Sequence, residues 1–302
     1  MIRKLKSIWE LTRLEHGLMY GLGVLIGIIV AGGRIFVPAS IDGLPVFTLT
    51  DGAIFGFLTA LFIQAGTFAL NDYCDLESDS ANRRMDRPLV RGELTRREAL
   101  LIALLATAFG IIAASFLHPL LFALALLSAV LGVLYDVKMK EFFGVSNVYI
   151  ALTMAIPFIF GGLIVDATRI DLILLVLAAM AFVAGFGREV MKDIADLRGD
   201  ALRDVKSFAR IYGVEIASRV VVGSYSLAVL LSVIPIFSVG SSYFFNPAYL
   251  LPVLLADLLL LHACWMLRRR STETADYTAL RKETLVAIVL GLLAFVCGAV
   301  FF

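Results

Sequence analysis

The sequence predicts an all-α, polytopic membrane protein with nine transmembrane helices, built as two four-helix halves plus one. Three observations predict it. Hydrophobic residues make up 60% of the 302 positions and charged residues only 17%, against about 25% charged in a soluble domain. Apolar runs long enough to cross a bilayer, roughly 20 residues each, recur along the whole chain. The basic residues between those runs gather on alternate connections. With a mean hydropathy of +0.92, lipid is the solvent. A backbone in lipid must satisfy its own hydrogen bonds; the runs show no alternating strand pattern of a barrel, so each is a helix.

The runs fall at about residues 17–33, 52–70, 99–117, 119–135, 145–165, 170–187, 213–236, 246–266 and 284–302. The first is a permanent span, because residues 1–15 are too polar for a cleaved signal peptide. His118-Pro119 makes a very short connection, and Gly161-Gly162 is a candidate early end of the fifth helix. This count puts 24 of the 26 Lys and Arg residues on one face, with only Arg34 and Arg169 on the other. A miscounted helix would scramble that parity. Positive charge stays inside, so the N-terminus is expected in the cytoplasm and the C-terminus outside, in a cell membrane. The net charge of +1 carries no signal, and no nucleic-acid partner is expected. Cys74, Cys264 and Cys297 are far apart and have neither metal nor disulfide spacing. No linker or low-complexity segment divides residues 1–302, so one domain is expected.

Two acidic clusters stand at matching places. Asn71-Asp72-Tyr73-Cys74-Asp75-Leu76-Glu77-Ser78-Asp79 ends the second span, and Asp193-Ile194-Ala195-Asp196-Leu197-Arg198-Gly199-Asp200 ends the sixth. Each repeats Asp at i, i+3 and i+7. At roughly 100° per residue these fall near 0°, 300° and 340°, on one narrow helix face. Glu77 points nearly opposite, and Glu189 joins the second cluster's face. Like charges ~4 Å apart repel by about 4 kcal/mol at an effective dielectric near 20. An oxygen-seeking divalent cation offsets this, and Mg²⁺ takes one or two carboxylates together with water and substrate phosphates. The neighbouring Arg and Lys residues suit a phosphorylated ligand. A purely structural reading, surface acids at solvated helix ends, accounts for one such cluster better than for two. The matching clusters also suggest a parallel repeat, with halves at about 1–144 and 145–270 and the acids of helices two and six across one central cavity.

These residues resemble a known family. Asn71-Asp72-x-x-Asp75-x-x-x-Asp79 and Asp193-x-x-Asp196-x-x-x-Asp200 are similar to the paired signatures of the UbiA superfamily of intramembrane prenyltransferases. Asn82 to Gly92 resembles the loop after its first motif. Lys206-Ser207-Phe208-Ala209 with Gly213 resembles the segment after its second, and Tyr135-x-x-Lys138 a Tyr/Lys element after its fourth helix. The resemblance implies nine helices around a central cavity and Mg²⁺-dependent prenyl transfer from an isoprenyl diphosphate. It implies Mg²⁺ at Asp72, Asp75, Asp79, Asp193, Asp196 and Asp200. Diphosphate contacts would come from Asn71, Arg83 or Arg87, Lys138 and Lys192.

Breaking the C1–O bond of an allylic diphosphate needs its charge neutralised, and the resulting cation needs an apolar, aromatic wall. Phe68, Tyr73, Tyr135, Tyr149 and Phe186 are candidates for that wall, against ordinary packing for each. Arg13, His16 and Asn147 are candidate acceptor contacts. Leu14-Glu15-His16 looks like members that prenylate aromatic acids for quinone synthesis, so an aromatic acceptor is expected; a glyceryl phosphate, as in archaeal lipid synthesis, is the alternative. A cation-coupled transporter is the rival of another class, although transporter ion sites usually lie near the midplane. Asp257, in the middle of the eighth span, has no assigned role although intramembrane acids are costly.

Overall fold

The computed structural model describes residues 2–41, 44–142, 144–197, 207–269 and 277–301. The elements, in chain order, are α1 (Ile2–Thr12), α2 (Leu14–Val30), β1 (Phe36–Ile41), β2 (Leu44–Leu49), α3 (Asp51–Ala81), α4 (Arg96–Ala114), α5 (Pro119–Val137), α6 (Val145–Val165), α7 (Leu172–Ala195), α8 (Phe208–Tyr212), α9 (Val214–Ile236), α10 (Pro247–Arg269) and α11 (Tyr277–Val300). Among the described residues, eight helices are long and apolar enough to cross a membrane, and the α1–α2 pair, bent by 51°, raises the number to nine. The expected helical membrane fold is therefore present.

Local chemistry sets the boundaries. The α1–α2 bend falls at Arg13, whose φ of 43° is a left-handed value that no helix interior holds. Thr50 caps α3 by accepting from the Ala53 N–H, and Thr95 with Glu98 forms a capping box on α4. Pro119 opens α5 at a first-turn position, where its missing N–H costs nothing.

Two features depart from the sequence expectation. The sequence predicts no strand, yet β1 and β2 pair as an antiparallel hairpin from Phe36↔Leu49 to Ile41↔Leu44. The apolar and β-branched residues flanking Asp42-Gly43 carry a hairpin signal. The second span also runs on well past residue 70. No Gly or Pro interrupts Asn71–Ala81, so α3 continues to 31 residues. At 1.5 Å per residue that is about 46 Å, longer than a hydrocarbon core of ~30 Å. The first acidic cluster thus stands on a regular helix beyond the apolar zone.

The chain forms two compact units. The first comprises Met1–Ile28, Gly33–Lys140 and Phe160–Ile170; the second comprises Ile29–Gly32, Glu141–Ile159 and Asp171–Phe302. In the first, α3 packs along α4 and also meets α5 and α1. Small residues permit the closest approaches, as is usual between membrane helices. A Cβ on Gly161 would lie 2.1 Å from the Val24 carbonyl oxygen, and one on Gly110 would lie 2.9 Å from the Ile63 nitrogen. In the second, α7 packs on α9 and α11, and α10 packs on both α9 and α11. Their shared core includes Val190, Met191, Ile194, Val221, Tyr225 and Leu260.

Candidate active site

In the first unit the acids of α3 are gripped by cations from three directions. Asp72 is buried, at 2% exposure. Its Oδ1 accepts from Arg13 Nη2 and Arg87 Nη1, each at 3.0 Å. Arg87 Nε also lies 3.7 Å from Asp79 Oδ2, so one guanidinium spans two of the predicted ligands. Asp75 is paired with Lys140. Asn71 Nδ2 donates to Asp136 Oδ1 at 3.0 Å. Glu77 points to Arg96 instead, 3.7 Å away and exposed, as the helical wheel predicts. Beside them, 3.7 Å from Arg87 Nε, Asp86 is bound by Arg84 through two hydrogen bonds of 2.9 and 2.8 Å, which holds the Asp86 carboxyl below its usual range.

The local sequence explains this convergence. α3 ends at Asn82, and Arg83, with φ 51°, turns the chain sharply. The turn brings Arg87 back over the helix it has just left, while Arg83 itself is exposed. Arg83 is therefore replaced by Arg87 as the cation on this motif. The break at Arg13 between α1 and α2 similarly aims its guanidinium at Asp72 and lays it over the Phe68 ring, 4.4 Å from the centroid. His16 meets the same ring edge-on at 5.4 Å. Three residues assigned separately from sequence, two to the acceptor and one to the wall, thus form one cluster. Tyr73 lies under Arg96 at 4.7 Å.

In the second unit, Asp193 Oδ2 accepts from Asn147 Nδ2 at 3.0 Å and from the Phe208 N–H at 3.1 Å. Asn147 is buried and acts on the carboxylate, where the sequence suggested an acceptor contact. The second motif also departs from the predicted single helical face. α7 ends at Ala195, and Asp196 is its C-cap, with φ −92° and ψ 3°. Its side chain is exposed. Asp200 and Lys206 lie outside the described residues. Lys192 is exposed and paired with Glu189 at 3.3 Å. Phe186 is half-buried, packs against the core shared by α7, α9, α10 and α11 and stacks with Phe182 at 6.5 Å. Tyr135 and Tyr149 are half-buried.

Sequence reasoning missed two participants. Lys140, not Lys138, reaches Asp75; Lys138 caps α5 through its backbone N–H and its side chain is exposed. Asp136 is buried at 2% and holds Asn71. An acid inside an apolar run is itself a signal, and the Tyr135-Asp136 pair carried it.

The first motif fits a magnesium-bound phosphate ligand. Asp72 Oδ2 and Asp136 Oδ2 are buried without a hydrogen-bond partner, and a buried carboxylate oxygen left unpaired is costly. Among the described residues no three His, Cys, Asp or Glu side chains converge on one point. The two orphaned carboxylate oxygens fit Mg²⁺, which binds through one or two carboxylates and takes its other ligands from water and substrate phosphates.

Comparison with known proteins agrees with this chemistry. The model of the UbiA prenyltransferase family matches residues 43–283. Digeranylgeranylglyceryl phosphate synthase of Archaeoglobus fulgidus is 46% identical over 98% of this chain and 96% of its own length. The synthase of that name from Methanopyrus kandleri is 32% identical, covering 97% and 99%. A solved structure from work on digeranylgeranylglyceryl phosphate synthase in membranes superposes with a TM-score of 0.77 at 25% identity, covering 99% of each chain. A UbiA homolog from A. fulgidus bound to DMAPP and Mg²⁺ shares the fold, with a TM-score of 0.67 at 17% identity over 98% and 100%. The transporter reading is set aside by these relatives. The chain belongs to the UbiA prenyltransferase family and is an integral, multi-pass membrane prenyltransferase.

Proposed function

We propose that this enzyme is a digeranylgeranylglyceryl phosphate synthase. It moves a geranylgeranyl group from geranylgeranyl diphosphate to the free hydroxyl of a glyceryl phosphate that already carries one such chain. The observation that carries this reading is the 46% identity with an archaeal synthase of that name over nearly the full length of both chains. The aromatic acceptor expected from Leu14-Glu15-His16 gives way to the glyceryl phosphate. Packing accounts for part of that pattern, since His16 sits against Phe68 and lies 3.7 Å from Glu15.

The chemistry asked of the chain is modest. The C1–O bond of the donor breaks and diphosphate leaves with the electron pair. The acceptor oxygen bonds to C1 and its proton departs. Bound Mg²⁺ supplies neutralisation of the charge that builds on the leaving group. In the first unit Asp72, Asp75 and Asp79 on α3 would hold it; in the second, Asp193 on α7, Asp196 at its C-cap and Asp200, beyond the described residues, would do so. Arg87 and Lys140 orient the α3 carboxylates and offer donors to phosphate oxygens. Asn71 is held by Asp136 and Asn147 holds Asp193, so each motif has an amide fixed beside its first acid. Tyr73 and Phe68 present ring faces to cations, as a wall for an allylic cation requires. We assign the face carrying 24 of the 26 basic residues to the cytoplasm.

The test is a competition of acceptors. Purified enzyme with Mg²⁺ and labelled geranylgeranyl diphosphate is offered geranylgeranylglyceryl phosphate and a panel of hydroxylated aromatic acids. Label is expected in the glyceryl phosphate. Preferential labelling of an aromatic acid would overturn the assignment.

A further inference from the structure

Asp136 belongs to neither acidic motif, yet it is buried in the last turn of α5 against the first of them. Its Oδ1 accepts from Asn71 Nδ2 at 3.0 Å. Four residues on, in a short turn over Met139–Glu141, Lys140 pairs with Asp75. Asn71 and Asp75 are themselves four residues apart on α3, one above the other on the same edge of the helix. The end of α5 therefore meets the first motif through two adjacent polar rungs.

The direction of the Asn71 rung decides what that amide can do. A carboxylate only accepts, whereas an amide has a donor end and an acceptor end. The nitrogen end of Asn71 is thus anchored at Asp136 and the carbonyl oxygen is turned from it. That oxygen has no hydrogen-bond partner among the described residues. It would repel the oxygens of a diphosphate, and it suits a hard cation, for which amide carbonyls are ordinary ligands. Asp136 also carries a cost that a purely structural carboxyl would not: its Oδ2 is buried without a partner.

We infer that Asp136 is a positioning residue for the metal of the first motif: it anchors the Asn71 amide so that the carbonyl oxygen joins the ligands offered by the acids of α3. The contact that the family resemblance implies between Asn71 and diphosphate becomes a contact with the cation. The inference rests on the Mg²⁺-diphosphate reading of this motif and is independent of which acceptor is used.

Metal binding reads the role without turnover. Mn²⁺ stands in for Mg²⁺, and free Mn²⁺ is followed by electron paramagnetic resonance as it is titrated into the purified full chain with an unreactive geranylgeranyl thiolodiphosphate. Asp136→Ala should weaken Mn²⁺ binding by about 10–100-fold, the range for partners that orient a ligand. Asp136→Asn, which keeps an acceptor for the Asn71 amide, should retain most of the affinity. Asp136→Leu, with the same branching and no oxygen, gives a second reading should the Ala variant fold poorly. In an Asn71→Ala background, removing the Asp136 carboxylate should cost nothing further, because it acts through that amide; a merely structural role would add its own loss. Ala and Leu variants that bind Mn²⁺ like the wild type, or losses that simply add, would sink the inference. A wild type that holds no Mn²⁺ beside the analogue would remove the metal reading itself, and this inference with it. The acceptor competition leaves these titrations untouched, so the two ideas fail separately.

Discussion

At the residue scale, one carboxylate concentrates the chemistry of the first motif. Asp72 is buried, holds two arginines through one oxygen and leaves the other unpartnered. Asp72→Asn keeps its shape and removes the charge. Turnover should fall by about 10²-fold or more, the scale of losing a preorganised electrostatic contact, while the protein still folds. Asp72→Ala should also unfold more easily, because Arg13 and Arg87 are then left beside an empty place; breaking a buried pair costs roughly 3–5 kcal/mol. Steady-state transfer and denaturant titration check the two effects, and an Asn variant with wild-type turnover would remove Asp72 from the mechanism. Asn147 acts through Asp193. Asn147→Ala should therefore cost about 10–100-fold, the range typical of partners that orient a ligand. The loss should lie in the response to Mg²⁺ concentration, with the acceptor KM unchanged; the reverse pattern would return Asn147 to the acceptor role that its sequence position suggested.

At the element scale, α1 is fastened to the turn after α3 and the start of α4 by an ionic cluster. Arg91 binds Glu10 and Glu93, Ser7 donates to Glu93 at 2.7 Å, Arg3 reaches Glu93 at 3.2 Å and Lys4 reaches Glu98 at 2.5 Å. Arg91, then Ser7 and Arg3, hold the Glu93 carboxyl down at about 2. A carboxylate lowered in the folded state contributes stability above its unfolded value, near 4.3, and loses it as pH falls through the folded value. Docking of α1 should therefore be flat between about pH 5 and 8 and weaken only on strong acidification. Glu93→Gln should loosen it at neutral pH. Amide hydrogen exchange across Arg3–Thr12 measures both, and unchanged protection in the Gln variant would show that the cluster does not hold the helix. The α2–α6 crossing gives a packing test. Gly161→Ala places a methyl 2.1 Å from the Val24 carbonyl oxygen, and overpacking of this kind costs about 1–3 kcal/mol.

At the scale of the whole molecule, the decisive pattern is the separation of charge from apolar length. The parity of 24 basic residues against 2 predicts one orientation in the bilayer. Single cysteines at Glu77, beside the first motif, and at Val239, exposed between α9 and α10, should label from opposite sides of intact membranes. Glu77 should react only from the cytoplasmic side, and labelling of both from one side would overturn the topology. The hairpin lies outside this logic. It pairs the six-residue strands Phe36–Ile41 and Leu44–Leu49, which a search for spans of roughly 20 residues passes over.

The membrane class, the spans and the positions of the acids along α3 are legible in the sequence because they are local; along α7 only Asp193 stands on the helix that its spacing predicts. Hydropathy, helix period and the spacing Asp72, Asp75, Asp79 need no knowledge of neighbours. Partner choice is a different matter. That Arg13 and Arg87 rather than Arg83 grip Asp72, that Lys140 rather than Lys138 meets Asp75, and that Asp136 and Asn147 fix the motif residues depends on helix rotation and on two left-handed turns at Arg13 and Arg83. Neighbouring basic residues look equivalent in a sequence, and only packing selects among them. Burial turns the ordinary carboxyls of Asp72 and Asp136 into groups that need partners, and burial is a property of the folded chain.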